Sequence, residues 1–469
     1  MRILHTADLH LGRRPQGGRG SYSEARYNDY FIAFEKIVDI VLERSVDCLT
    51  LGGDIFDSNA MLPATLARTE AILGRLYDAR IPVIATWGNH DRPGYGGDNE
   101  FWLAFLEQKG LLAMPRAERV TTEEGARWTF RPVCLHETRF WTSGFWGAQN
   151  ENALLALAEH LASVHGGAEA EVSASRGEGT ASPQPAKRTG APDTNDEITK
   201  DIVLVHSAIG TGNDQLDFAT IGTGALQALR DRGRVTCVFG GHFHSYSSWP
   251  EGGPFFFVPG APEYFDIAER ARDKAVVIFD SDNGEYERLP VTPRFKHDLT
   301  IETKESDTKL FIEKELAPLA GSLKPEDLVF LRIVCPPGIP GGVWIDAETC
   351  ARWLEEDAGV MKAQVRAVQT AGGAREGVFG RGEEMSQAAL MEACILRHTD
   401  FSGQTGATLS LLNELWRDKI DFPNGEEFLR QAHERLEHFF DSTRPKSALP
   451  CDDDPAGAPS PEAERGGGT

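Results

Sequence analysis

Seven residues carry the side chains best suited to hold metal ions, and they fall in short motifs spread over the first 244 positions. Asp8 and His10 stand in Thr6-Ala7-Asp8-Leu9-His10, and Asp54 in Gly52-Gly53-Asp54-Ile55-Phe56-Asp57. Asn89 stands in Gly88-Asn89-His90-Asp91, His206 ends an apolar run, and His242 and His244 share Gly241-His242-Phe243-His244. Carboxylate, imidazole and amide donors without any thiolate suit Mn²⁺, Fe or Zn²⁺ and do not resemble a structural zinc knot. A carboxylate such as Asp54 can bridge two ions. Two ions about 3.5–4 Å apart stabilise the attacking and leaving oxygens of an in-line phosphoryl displacement and activate the water between them. The chemistry expected is two-metal hydrolysis of a phosphoester.

The donors need elements that bring them together. Each motif directly follows a short run rich in Val, Ile, Leu or Cys: 2–4, 46–51, 82–86, 202–205 and 235–239. Such runs read as buried strands, and amphipathic stretches at 29–44 and 64–79 read as the helices between them. The rhythm is that of an α/β domain, in which ligands collect at the carboxyl ends of strands. Spacing of i and i+2 in extended chain would point Asp8 with His10, and His242 with His244, to one side. Glycines before Asp54, Asn89 and His242 are expected to permit sharp turns.

Each motif alone has an ordinary explanation, since Asp-x-His occurs by chance and a histidine at a strand end is often structural. All of them in this order, each after a strand, leave the ordinary explanation little room. His5 and His136 match no motif and are read as structural. Asp57 is read as a helix start ahead of 58–62.

Composition sets the outer bounds. A chain of 469 residues with 41% apolar and 25% charged residues is an ordinary globular length and mixture, sized for two or three domains. Nothing approaches a membrane span, and the N-terminus lacks the regions of a signal peptide. Seven scattered cysteines without a C-x-x-C pair point to a reducing cytosol. A net charge of −23 argues against broad non-specific nucleic-acid binding but not against chemistry at a cation-loaded site. The expected organisation is a first domain at 1–293 with a disordered insertion at 165–201, and a small α+β module at 294–371. After a Gly-rich linker come helical stretches within 383–441, and then a disordered tail at 442–469. In the small module, strands are expected at 298–302, 328–335 and 363–369, with helices at 309–320 and 349–357.

The motifs resemble those of the calcineurin-like metallophosphoesterase superfamily: D-x-H, G-D-x-x-D, G-N-H-D/E, H and G-H-x-H. Within it the chain is similar to DNA-repair nuclease subunits of the SbcD type and their meiotic-recombination counterparts. The residues that carry this are 2–12, 51–57, Ile81-Pro82-Val83 with Gly88-Asn89-His90-Asp91, and the turn Val258-Pro259-Gly260-Ala261-Pro262-Glu263-Tyr264. The resemblance implies an α/β/β/α sandwich with a smaller α+β capping domain and C-terminal helices. It implies one ion on Asp8, His10, Asp54 and His244, and a second on Asp54, Asn89, His206 and His242. It also implies His90 as the catalytic residue at the scissile phosphate, two Mn²⁺ ions, DNA as substrate and a homodimer. A coiled-coil ABC-type ATPase partner of the SbcC type would dock on the terminal helices, in the cytoplasm at the nucleoid. Ser245-Tyr246-Ser247-Ser248, Asp57 in place of a relative's histidine, and the insertion depart from the pattern. The competing expectations are a phosphatase or phosphodiesterase for small nucleotides or phosphoproteins, and a scaffold that recruits an ATPase.

Overall fold

The computed structural model describes residues 1–91, 102–122, 125–165, 200–210, 220–250, 252–269, 274–291, 293–335 and 345–369. The expected linker, terminal helices and tail lie outside the described residues, as does the insertion apart from its ends. His165 closes a helix, and Lys200 and Asp201 already open a strand. The chain divides into Met1–Leu409 and Ser410–Thr469, and every described residue belongs to the first unit.

The first three apolar runs become β1 (Arg2–Thr6), β2 (Cys48–Gly52) and β3 (Val83–Thr86), paired in parallel. Parallel neighbours need a crossover, supplied by α1 (Tyr22–Glu43) and α2 (Pro63–Asp78). In α1 the residues Tyr27, Tyr30, Phe31, Phe34, Ile37, Val38 and Val41 recur at helical spacing and are buried on one face. Pro63 opens α2, where its fixed φ suits the first turn and its missing N–H is not needed.

Next come α3 (Trp102–Gln108), the hairpin β4 (Arg116–Thr122) and β5 (Gly125–Arg131), then β6 (Val133–Leu135) and β7 (Thr138–Gly144). They are followed by α4 (Asn150–His165), β8 (Lys200–His206), β9 (Ala208–Gly210), β10 (Thr220–Gly222) and α5 (Thr223–Asp231). The fourth and fifth apolar runs lie in β8 and in β11 (Cys237–Gly241), which pair in parallel. Strands β12 (Ser247–Trp249), β13 (Phe256–Val258), β14 (Ala275–Asp280) and β15 (Tyr286–Pro290) complete two sheets. Their orders are β15-β14-β1-β2-β3 and β12-β13-β11-β8-β7-β6.

Ile3, Cys48 and Phe279 of the first sheet meet Phe140, Ile202, Phe239 and Phe257 of the second in a shared core. The first sheet's outer face is covered by α1, α2 and α3, and the second sheet's by α4 and α5. This is the expected α/β/β/α sandwich.

A separate three-stranded parallel sheet follows, with order β16 (Lys296–Glu302), β17 (Leu328–Cys335) and β18 (Lys362–Gln369). The helix expected over 309–320 is only one turn of α-helix, α6 (Thr308–Phe311). It runs into a π-helical stretch, Ile312–Leu316, and a 3₁₀ stretch, Ala317–Ser322. Pro318 lacks the N–H that an α-helix would use there, so the regular ladder cannot continue. With α7 (Ala347–Glu356), this sheet encloses its own core of Phe311, Leu316, Val329, Leu331, Ile333 and Leu354. It joins the sandwich through a small apolar cluster, Tyr22 and Ile267 with Leu328 and Phe330, and through charge. Arg294 donates to both Asp29 oxygens at 2.6 and 2.8 Å, and its backbone N–H donates to Glu263 at 2.9 Å. Buried Arg26 links Asp29 to Glu263 at 2.9 and 3.0 Å, so each buried charge has an opposite partner. Among the described residues no helix is long and apolar enough to cross a membrane.

Candidate metal centre

The predicted donors all emerge at strand carboxyl ends, and the two sheets share them. Asp8 and His10 follow β1, Asp54 follows β2, and Asn89 and His90 follow β3. His206 ends β8, and His242 and His244 follow β11. The backbone there is not extended. Asp8, His10, Asp54 and His242 have φ of 56°, 44°, 48° and 83°, a left-handed conformation costly for side-chain-bearing residues and concentrated at functional sites. The i, i+2 argument from strand alternation therefore fails, and the chain's turns aim these side chains instead. Of the three glycines expected to turn the loops, Gly53 does so with φ 92°. Gly88 is needed for space, because a Cβ there would overlap the Asp54 carboxylate.

These turns sort the donors into two groups. Donor atoms of Asp8, His10 and His244 lie within 4.8 Å of one another, and so do those of Asp54, His206 and His242. In the first group the Nε2 atoms of His10 and His244 are 3.2 Å apart. In the second, Asn89 Oδ1 lies 3.1 Å from His206 Nε2 and 3.2 Å from His242 Nδ1. Asp54 Oδ2 stands between them, 3.3 Å from His206 Nε2 and 3.9 Å from His10 Nε2. The groups are also laced together, since the His242 N–H donates to both Asp8 oxygens at 3.0 and 3.1 Å.

The donor chemistry fits cations. His206 Nδ1–H donates to the Gly52 carbonyl at 2.8 Å, which leaves the Nε2 lone pair facing Asn89 Oδ1 and Asp54 Oδ2. Three acceptors converge there, and they cohere only around a proton or a metal ion. Burial would lower the His206 pKa, but the Asp54 charge outweighs it and holds the ring up at about 9. Burial would likewise raise the Asp54 carboxyl, yet His206 drives it well below the usual carboxylate range.

Further residues, not singled out by the sequence, hold this arrangement. Buried Glu269 accepts from His244 Nδ1 at 3.0 Å and from Lys274 at 2.7 Å. Burial pushes its carboxyl up, but Lys274 prevails and keeps it down at about 2. Neither residue lies in a motif, so no local signal marks them. Phe265 packs against the rings of His10 at 4.5 Å and His244 at 4.8 Å, with the Arg13 guanidinium 3.3 Å from its own centroid. Asp91, within the Gly-Asn-His-Asp motif, accepts from the backbone N–H groups of Ile55, Phe56 and Gly88 at 3.1, 2.9 and 3.0 Å. It thereby ties the loop after β2 to the loop after β3.

His90 stands beside the groups. Its Nδ1–H donates to the Asp57 carbonyl at 2.7 Å, and its Nε2 is 4.0 Å from Asp54 Oδ2. The reading of Asp57 as a helix start is corrected. Helix α2 begins only at Pro63 after Leu62, and the Asp57 carboxylate lies 3.5 Å from His10 Nδ1 and 3.1 Å from Arg13. With His10 and His90 it forms a third cluster of possible donors. His5 is structural, bonded to Thr50 at 3.0 Å and the Gly240 carbonyl at 2.9 Å, and burial lowers its pKa to about 4. His136 is exposed between β6 and β7, at the far end of β7 from the site.

The family model for calcineurin-like phosphoesterases matches residues 1–246, just over half of the chain. A DNA double-strand break repair protein Mre11 of Methanosarcina acetivorans is 39% identical over 111 residues, 24% of this chain and 17% of the relative. One of the same description from Aeropyrum pernix is 37% identical over 92 residues, 20% of this chain and 21% of the relative. The matched stretch thus spans about a fifth of these curated relatives' own length. A dimetal phosphatase from Danio rerio overlaps 62% of this chain and 96% of its own at 12% identity. Its TM-score of 0.32 is too low to carry an argument.

Proposed function

Because the chain belongs to the calcineurin-like phosphoesterase family, we propose that it is a two-metal-dependent DNA nuclease of double-strand break repair. The observation that carries this is the Asp54 carboxylate standing between two clusters of metal-type donors. In this reading Asp8, His10, Asp54 and His244 hold one Mn²⁺ ion, and Asp54, Asn89, His206 and His242 hold the other. When bound, such a pair activates a water and stabilises the charge of an in-line displacement at phosphorus. The protein's own part is to orient. The Gly52 carbonyl and the Glu269 carboxylate each fix one ligand imidazole by its Nδ1, leaving Nε2 toward the site. With His90 Nδ1–H engaged by Asp57, Nε2 is the atom available to meet the scissile phosphate and the leaving oxygen.

DNA as substrate is supported by the relatives described as DNA double-strand break repair proteins and by the turn at 259–264. The activity is that of an exonuclease and a single-strand endonuclease, of a homodimer in the cytoplasm at the nucleoid. The sheet at 294–371 serves as a capping domain, and 383–441 docks a coiled-coil ATPase. The full-length protein should degrade DNA ends and cut single strands with Mn²⁺, alone or with that ATPase, and lose both activities in EDTA. Intact DNA in every arm, with hydrolysis of cyclic nucleotides or phosphopeptides instead, would overturn the reading.

A further inference from the structure

A row of aromatic rings at the same edge of the sandwich has no part in the proposed metal chemistry. Phe145 and Trp146 follow β7, Trp87 links β3 to Gly88-Asn89-His90, and Trp128 lies on β5. The Phe145 ring lies 5.8 Å from the imidazole of His206 and 6.0 Å from that of His242. Trp146 stands edge-on to Trp128 at 5.0 Å and to Trp87 at 6.5 Å. Trp87 and Trp128 pack against the outer core of the second sheet, yet all four rings stay only half-buried.

The row is built into the fold. Gly144, with φ 66°, makes room for the Trp87 indole, which a Cβ would overlap. The Trp146 indole N–H turns inward to the Ser143 carbonyl, so its hydrogen bond is already used and only ring surface is left for a ligand. The Trp146 backbone N–H donates to buried Asn150 at 2.5 Å. The Asn150 amide in turn donates to Ser207 Oγ at 2.6 Å, beside His206. The aromatic loop is therefore tied to the strand end that presents a metal-type donor.

Charge argues for what covers these rings. With 71 acidic against 48 basic residues, the chain lacks the cationic excess that normally drives binding to phosphate backbones. Stacking of a base on an aromatic face adds affinity that does not come from charge and is indifferent to sequence. We infer that Phe145, followed in the chain by Trp146 with Trp87 and Trp128 packed on it, is a stacking subsite for an unpaired nucleobase of the nucleotide next to the scissile phosphate. The inference rests on the DNA-hydrolase reading and deepens it, because a base held in a duplex cannot offer its face.

The test compares two single-stranded oligonucleotides of one length, one fully base-bearing and one with abasic residues throughout its centre. Tryptophan fluorescence of the full-length protein, titrated with each in Ca²⁺, reads stacking without turnover, and cleavage in Mn²⁺ reads its use. The base-bearing strand should bind about tenfold tighter, quench the fluorescence and show a correspondingly lower KM. Phe145→Leu should bring the two strands close to parity, and Phe145→Tyr should keep the preference. Equal binding of both strands by the unaltered protein, or a preference untouched in Phe145→Leu, overturns the subsite while leaving the nuclease reading intact. Preferential binding and quenching with no cleavage of either strand would instead uphold the subsite and count against the nuclease.

Discussion

The two donor groups are near neighbours but are held in place by different physics. In the first, His244 is oriented by a buried ion pair, Glu269 with Lys274, delivered from 25 and 30 residues further along the chain. Phe265 closes over both of its imidazoles with Arg13 stacked behind. In the second, His206 is oriented by a neutral backbone carbonyl, that of Gly52, and the loops are gathered by Asp91 through three backbone N–H groups. Its additional oxygen donor is the uncharged amide of Asn89, where the first group has the Asp8 carboxylate. A carboxylate behind a ligand imidazole makes that imidazole a stronger base, and a carbonyl does so less. The first group should therefore bind its ion more tightly than the second.

Asp54→Asn would erase the comparison, because both groups lean on this one carboxylate. Mn²⁺-dependent hydrolysis should fall by about a thousandfold, and calorimetry should find neither ion bound with its original affinity. Two intact binding steps would show that Asp54 is not shared. Glu269→Gln combined with Lys274→Met, which avoids a buried unpaired cation, would separate the groups. The tighter step should weaken by about 10- to 100-fold while the weaker step stays nearly unchanged. A uniform loss in both steps would mean that the ion pair supports the fold and not His244. The smallest effect should come from Asp91→Asn, which turns an amide NH₂ toward backbone N–H donors. A loss of about 1–3 kcal/mol should appear as a melting temperature lower by several degrees, with the weaker ion affected first. An effect on the tighter step alone would invert the assignment.

Much of this was legible in the residues. A run such as 235–239, followed by Gly241-His242-Phe243-His244, announces both a strand and the donors beyond it, since a buried strand must end in a loop at the sheet's edge. Asp57 was not legible, because Asp before a polar stretch reads equally as a helix start and as a partner of His10. The 309–320 stretch shows helical periodicity, yet Pro318 removes one N–H, and π and 3₁₀ turns accommodate the gap. Glu269 and Lys274 sit in a charged stretch with no periodicity or motif, and only their contacts with His244 and with each other reveal their part.

The sequence by itself determined the kinds of donor, their order and their placement at strand ends, because residue type and apolar patterning are local properties. The grouping, implied in the sequence only by family resemblance, is physically set by the tertiary structure. His242 and His244, two residues apart, go to different clusters, and Asp8 and His10 meet a histidine from the other sheet. That outcome depends on four side-chain-bearing residues held at positive φ, each conformation costing about 1–2 kcal/mol on its own. Bonds between distant loops offset this, such as His10 N–H to the Asp54 carbonyl at 2.9 Å and His242 N–H to Asp8. No segment read alone contains both ends of such a bond.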